Sequence, residues 1–115
     1  MRTIDIKVET RAIDDWAVVD VEGEVDVFTA PKLRERIIGL LSDEKQRIIV
    51  NLEKVAFMDS TGLGVLVGGL KRVKERDGTL VLAGAQGTVL RVLNVTGLNA
   101  VFPMFDSVEG AVGSG

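Results

Sequence analysis

A strand that passes directly into a helix is the feature that most restricts how this chain can fold. Residues 48–52 (Ile-Ile-Val-Asn-Leu) form a largely β-branched apolar run of the kind found in buried strands. Apolar side chains then recur at helical spacing from Leu63 to Val73. In the short polar segment between them, Ser60 or Thr61 stands where a helix N-cap residue is expected. The sequence therefore predicts a strand–turn–helix unit with a hydroxyl group at the start of its helix.

The start of this helix is predicted to favour negative charge. The first backbone N–H groups of a helix lack partners within it, and the helix dipole is positive at that end. Gly62 and Gly64 remove side chains from the first turn and leave its backbone and hydroxyl approachable, although an interior glycine costs a helix about 1 kcal/mol. Residues that are locally unfavourable often mark functional positions. Ser60 is therefore a candidate phosphate site, and the alternative, a serine that only caps the helix, remains open.

The composition of the chain excludes several kinds of chemistry. Its 115 residues contain neither histidine nor cysteine, which removes Ser-His-Asp triads, thiolate chemistry, disulfides and the usual zinc ligands. A net charge of -3 and a pI near 4.9 argue against a non-specific binder of nucleic acid or anionic membranes. Residues 1–5 contain no signal-like apolar segment, and no apolar run reaches membrane-spanning length. We expect a single cytoplasmic domain.

Strands and helices alternate along most of the chain. Strands are predicted at residues 4–8, 16–22, 48–52, 79–83 and 101–105, with an extended segment or loop at residues 23–28. Helices are predicted to begin at Thr29-Ala30-Pro31, at Ser60 or Thr61, after residues 84–87 and after Ser107, with Gly97 ending the third. The short turn at residues 13–15 makes the first two strands antiparallel. This order predicts an α/β fold whose sheet is parallel at its centre.

The glycines of the second helix also suggest a dinucleotide site. Residues 62–68 (Gly-Leu-Gly-Val-Leu-Val-Gly) follow a strand and open a helix, but the third glycine comes one position late. The next strand also ends without an acidic residue to bind a ribose. The fingerprint is therefore incomplete, and Gly64, Gly68 and Gly69 could instead allow close packing on the sheet or on a partner.

Two aspartates are predicted to lie near Ser60. Loops that follow neighbouring parallel strands open on the same edge of a sheet, which places Asp26 close to Asp59. The alternatives are that Asp26 is a solvated loop residue and that Asp59 only adds charge near the helix. A metal site is not favoured, since the chain has no histidine and few acids converge. Ser60 as a nucleophile would lack a base, because neither Lys54 nor Lys71 has an evident place beside it.

Several segments together resemble a known family. Residues 59–64 (Asp-Ser-Thr-Gly-Leu-Gly) resemble the signature of bacterial anti-sigma factor antagonists, the small single-domain members of the STAS superfamily. The likeness extends to residues 23–26, 29–31, 95–98 and 102–107. It implies one STAS domain over residues 1–115, with a mixed sheet of four to five strands and helices packed mainly on one side.

The resemblance also implies a function. A non-enzymatic, cytoplasmic protein would bind an anti-sigma factor kinase and thereby release a sigma factor, without contacting nucleic acid or membrane directly. The kinase would use its own ATP to phosphorylate Ser60, a metal-dependent serine phosphatase would restore it, and the chain itself would need no cofactor or metal. The implied neighbours of the phosphorylation site, in contact with the partner, are Asp26, Asp59, Thr61, Gly62, Leu63 and Gly64. The alternative on the same fold is a scaffold or transporter-accessory module regulated by protein binding.

Overall fold

The five strands of the sheet lie side by side in the order in which they occur along the chain. The computed structural model describes residues 6–114. Its elements are β1 (Ile6–Ile13), β2 (Trp16–Val25), α1 (Ala30–Ser42), β3 (Arg47–Met58), α2 (Ser60–Lys74), β4 (Thr79–Ala83), α3 (Gly87–Val95), a 3-10 turn (Leu98–Ala100), β5 (Met104–Phe105) and α4 (Val108–Gly113). Strand β1 is antiparallel to β2, and all other neighbouring strands are parallel. The predicted α/β fold with a mixed sheet is confirmed.

Both faces of the sheet are covered, but unequally. Side chains from α1, α2 and α3 pack in one large core, in which Leu33, Leu66 and Leu93 are fully buried against one face of the sheet. The other face carries a smaller core, in which Ala111 of α4 packs near Trp16. Consecutive residues of β3 point into different cores, which explains why its sequence is apolar at successive positions rather than alternating.

Strands β2 and β3 are both longer than predicted. Strand β2 continues to Val25 rather than ending at residue 22, and β3 continues to Met58 rather than ending at residue 52. Two register irregularities interrupt their pairing, between Asp20 and Glu22 and between Gly23 and Glu24. Near these irregularities, the burial of residues 53–58 does not follow the period of two that marks a strand in a sequence. The consequence for function is that both strands reach the same edge, where Val25 pairs with Met58.

The C-terminal elements agree with the sequence prediction only in part. The predicted strand at residues 101–105 is reduced to β5, because a 3-10 turn precedes it and Pro103 has no N–H to donate. The carbonyl of Pro103 instead accepts a hydrogen bond from the Leu82 N–H at 3.0 Å. Gly97 adopts the predicted left-handed conformation after α3, with φ at 78°. The predicted cap of α4 is also confirmed, since the Ser107 side chain accepts from the Gly110 N–H at 3.0 Å.

Ile4, the first residue of the predicted N-terminal strand, lies outside the residues that the structure describes. Across residues 6–114, none of the helices combines the length and the apolar character needed to cross a membrane.

Candidate functional site

Asp59, rather than Ser60 or Thr61, caps helix α2. Its Oδ1 accepts hydrogen bonds from the backbone N–H groups of Thr61 at 2.9 Å and Gly62 at 3.1 Å. The predicted cap is therefore wrong by one or two residues, and Ser60 is the first residue of the helix. A carboxylate satisfies these N–H groups with charge-assisted bonds, and it also complements the positive end of the helix dipole.

The Ser60 hydroxyl is left available by this arrangement. Ser60 is exposed, and within residues 6–114 its side chain has no hydrogen-bond partner. Thr61 is also exposed on the same turn. The interpretation of Ser60 as only a helix cap is excluded, because Asp59 fills that role.

Asp26 organises the loop between β2 and α1. Its Oδ1 accepts from the backbone N–H groups of Phe28 at 2.9 Å and Thr29 at 3.0 Å. The Thr29 hydroxyl in turn donates to the carbonyl of Glu24 at 2.7 Å. Asp26 is half-buried, and its carboxylate is hydrogen-bonded to the backbone of its own loop. It is therefore not the solvated acid that one of the sequence interpretations described.

Asp26 and Asp59 do share one edge of the sheet. The backbone N–H of Asp59 donates to the carbonyl of Val25 at 3.1 Å, which joins the start of α2 directly to the residue preceding Asp26. The two acidic segments therefore lie next to each other at the ends of β2 and β3. Each carboxylate Oδ1 accepts from the backbone that follows it, so the two aspartates shape two adjacent turns.

The first glycine of α2 serves packing, whereas the second is open. A Cβ atom added at Gly62 would lie 2.6 Å from Cγ of Met58 and 2.8 Å from Cγ1 of Val25. Gly62 thus allows the helix to approach the ends of β2 and β3, and Leu63 beside it is buried in the large core. The expectation that both glycines leave the surface approachable therefore fails for Gly62. The same expectation agrees with the geometry at Gly64, where an added Cβ would meet nothing within 4 Å.

Exposed apolar side chains surround this edge, and the sequence interpretation missed them. Phe28 is 87% exposed and Val27 is 58% exposed in the loop after β2, and Phe57 near the end of β3 is 44% exposed. Large apolar side chains exposed together mark interaction surfaces. The available signal was a phenylalanine in a predicted loop beside Asp26. We call Val27, Phe28, Phe57, Ser60 and Thr61 the Ser60 surface.

Asp20, a strongly paired acid of β2, lies away from this site. Burial raises the pKa of Asp20, but hydrogen bonds from Arg11 Nε at 2.7 Å and Asn51 Nδ2 at 2.8 Å outweigh it, so this pKa is lowered. This cluster sits on strands β1, β2 and β3, on the face that also carries α4. In the part of the chain that the structure describes, no three acidic, histidine or cysteine side chains are grouped to hold a metal ion.

Comparison with known proteins identifies the family. The STAS domain family model matches residues 7–111 of the chain. An anti-sigma-B factor antagonist of Staphylococcus aureus (strain NCTC 8325 / PS 47) is 37% identical over 106 residues, which cover 92% of this chain and 98% of that protein.

Solved structures give the same result. An anti-sigma factor antagonist from Mycobacterium paratuberculosis has a TM-score of 0.87 and 28% identity, over 95% of this chain and 92% of its own. The Bacillus cell fate determinant SpoIIAA in its phosphorylated form shares the fold, with a TM-score of 0.75 and 24% identity over 94% of this chain and 98% of its own. The chain therefore belongs to the STAS domain family and, within it, to the anti-sigma factor antagonists, which are regulatory binding proteins and not enzymes.

Proposed function

We propose that this protein is a partner switch controlled by phosphorylation of Ser60. With Ser60 unmodified, it binds an anti-sigma factor that is also a serine kinase, and the sigma factor is released. Phosphorylation of Ser60 ends this binding, and a metal-dependent serine phosphatase restores it. The observation that carries the proposal is the exposed Ser60 hydroxyl, which has no partner within residues 6–114 because Asp59 already caps the helix.

The fold should tolerate the phosphate. A phosphoserine adds about -1.5 to -2 charges at neutral pH. At the first turn of α2 the helix dipole favours that charge by about 0.3–1 kcal/mol, and the neighbouring Asp59 carboxylate opposes it. Ser60 is exposed, so the added group displaces no packed side chain. We expect the modified and unmodified proteins to share one structure.

The interface with the anti-sigma factor, by contrast, should not tolerate a phosphate on Ser60. Phe28, Val27 and Phe57 offer apolar surface that a partner can bury, and Ser60 lies at the same edge. A phosphate there would be removed from water beside the Asp59 carboxylate. Unfavourable charge contacts of this kind cost several kcal/mol of binding free energy. Since each loss of about 1.4 kcal/mol lowers affinity tenfold, the effect on binding is large. The switch would then act by blocking the interface, with a loss of affinity of about a hundredfold or more.

The chain needs no cofactor of its own in this scheme. Ser60 is the acceptor of the phosphoryl group, and both the ATP and the catalytic groups belong to the kinase. What the chain contributes is a hydroxyl held on the first turn of a rigid helix, with Gly62 fixing that helix against the ends of β2 and β3. Neither a metal nor a base is required of the described residues.

The proposal is tested by mixing the protein with its anti-sigma factor kinase and ATP, followed by intact-mass spectrometry and peptide mapping. We expect a single added phosphate on Ser60. Ser60→Ala should remain unmodified and still bind, Ser60→Asp should bind weakly while staying folded, and the matched control Ser42→Ala, at an exposed serine ending α1, should be phosphorylated normally. Tight binding without any phosphate would contradict the switch and favour a scaffold on the same fold.

A further inference from the structure

A groove between helices α1 and α2 begins beside Ser60 and is not explained by the switch alone. It has a volume of about 280 Å³ and runs from Thr61 to Arg72 along α2, a distance of about 16 Å at 1.5 Å per residue. Helix α1 contributes Arg34 and Ile38 to its opposite wall. The groove therefore continues the Ser60 surface along the length of α2.

Two glycines keep this groove open without being needed for the fold. Gly69 faces closely packed side chains, because an added Cβ would lie 3.3 Å from Ile37 and from Leu80. At Gly64 and Gly68, which line the groove, an added Cβ would meet nothing within 4 Å. An interior glycine nevertheless costs a helix about 1 kcal/mol relative to alanine. The two positions thus reduce helix stability without improving internal packing.

The charges that line the groove are both positive. Arg34 on α1 and Arg72 on α2 are exposed, and neither forms an ion pair or hydrogen bond within residues 6–114. Among residues 6–114, no acidic side chain lines the groove, although the chain as a whole carries a net charge of -3. An occupant with apolar side chains and carboxylates is complementary to this lining.

We propose that the groove receives an acidic amphipathic segment of the anti-sigma factor. Small apolar side chains of that segment would lie over Gly64 and Gly68, and its carboxylates would pair with Arg34 and Arg72. An amphipathic helix laid in an apolar groove is a common mode of peptide recognition. This inference depends on the function proposed above, and it adds a second contact, which extends along α2 from the phosphorylation site and sets affinity and partner choice.

The test is the dissociation constant between the unphosphorylated protein and its kinase, measured by isothermal titration calorimetry for matched variants. Gly68→Leu fills the groove, whereas Gly39→Leu places the same side chain in open space on α1 outside the groove. We expect Gly68→Leu to weaken binding by about tenfold or more and Gly39→Leu to bind within about twofold of wild type.

Charge variants give an independent measurement. Arg72→Glu should weaken binding by about tenfold and reduce its salt dependence, whereas Arg91→Gln, an exposed arginine of α3 outside the groove, should leave it unchanged. Circular dichroism would verify that each variant is folded. Phosphorylation of Ser60 in the wild type serves as the reference for the proposed function.

The outcomes separate the two proposals. If the wild type binds and is phosphorylated while Gly68→Leu and Arg72→Glu bind equally well, the groove inference is overturned and the switch stands. If Gly68→Leu only converts a dimer of this chain to a monomer, without changing kinase affinity, the groove is a self-association surface and the inference is also overturned. If the wild type neither binds nor is phosphorylated, the proposed function fails and the groove inference fails with it.

Discussion

At the scale of single residues, Asp59 decides what Ser60 can do. The sequence places three side chains that can cap a helix, Asp59, Ser60 and Thr61, at successive positions. The residue types alone do not identify the capping residue, because aspartate, serine and threonine are all favoured at N-cap positions. The choice depends on where β3 ends, and that strand continues to Met58, past the apolar run at residues 48–52. The site could thus be located from the sequence, but its capping residue could not be identified.

Replacing Asp59 should separate capping from charge. Asp59→Ala removes the acceptor for the Thr61 and Gly62 N–H groups, and we expect a loss of about 1 kcal/mol in unfolding free energy. Asp59→Asn keeps a capping oxygen, and its unfolding free energy should fall by only about a few tenths of a kcal/mol. Urea denaturation followed by circular dichroism measures both. Equal losses in the two variants would show that the carboxylate charge, rather than the cap, stabilises the helix.

At the scale of secondary-structure elements, the position of α2 depends on one close contact with the sheet. The start of the helix approaches the ends of β2 and β3 because Gly62 has no side chain. The helical periodicity of residues 63–73 correctly predicted that Leu63, Leu66 and Leu70 are buried, whereas Val67 in the same pattern is only half-buried. It could not distinguish the roles of Gly62 and Gly64, because a glycine does not show in an apolar pattern whether it faces the core or solvent.

Alanine substitutions at these two glycines should have opposite effects. Gly62→Ala forces a methyl group against Met58 and Val25, and we expect a loss of about 1–3 kcal/mol. Gly64→Ala adds a methyl group in open space and should gain about 0.5–1 kcal/mol through helix propensity. Thermal unfolding of the two variants beside wild type measures the difference. A stabilised Gly62→Ala protein would show that the helix start can move away from the strand ends.

At the scale of the whole molecule, stability and function occupy different regions. The Ser60 surface lies at one edge of the sheet, whereas α4 closes the second core around Trp16, with the Arg47 guanidinium stacked 4.2 Å above the indole ring. The sequence predicted the strands and their alternation with helices, since these follow from local patterns. The sequence did not show which helix covers which face of the sheet. An apolar run such as residues 48–50 indicates that both faces are covered, but it does not identify the elements that cover them.

The Asp20 cluster should govern the acid stability of the fold without affecting the switch. Because its hydrogen bonds with Arg11 and Asn51 lower the folded-state pKa of Asp20, this residue stabilises the protein above its unfolded-state pKa of about 3.9. That contribution is lost as the pH falls through the lower folded-state pKa. We therefore expect Asp20→Asn to be less stable than wild type near pH 7, with a difference that shrinks as the pH falls below about 4. Urea midpoints measured across this range test the sign, and phosphorylation of Ser60 in the variant should proceed as in wild type. A difference that grew on acidification would mean that the pKa of Asp20 is raised in the folded state, and that burial outweighs its hydrogen bonds.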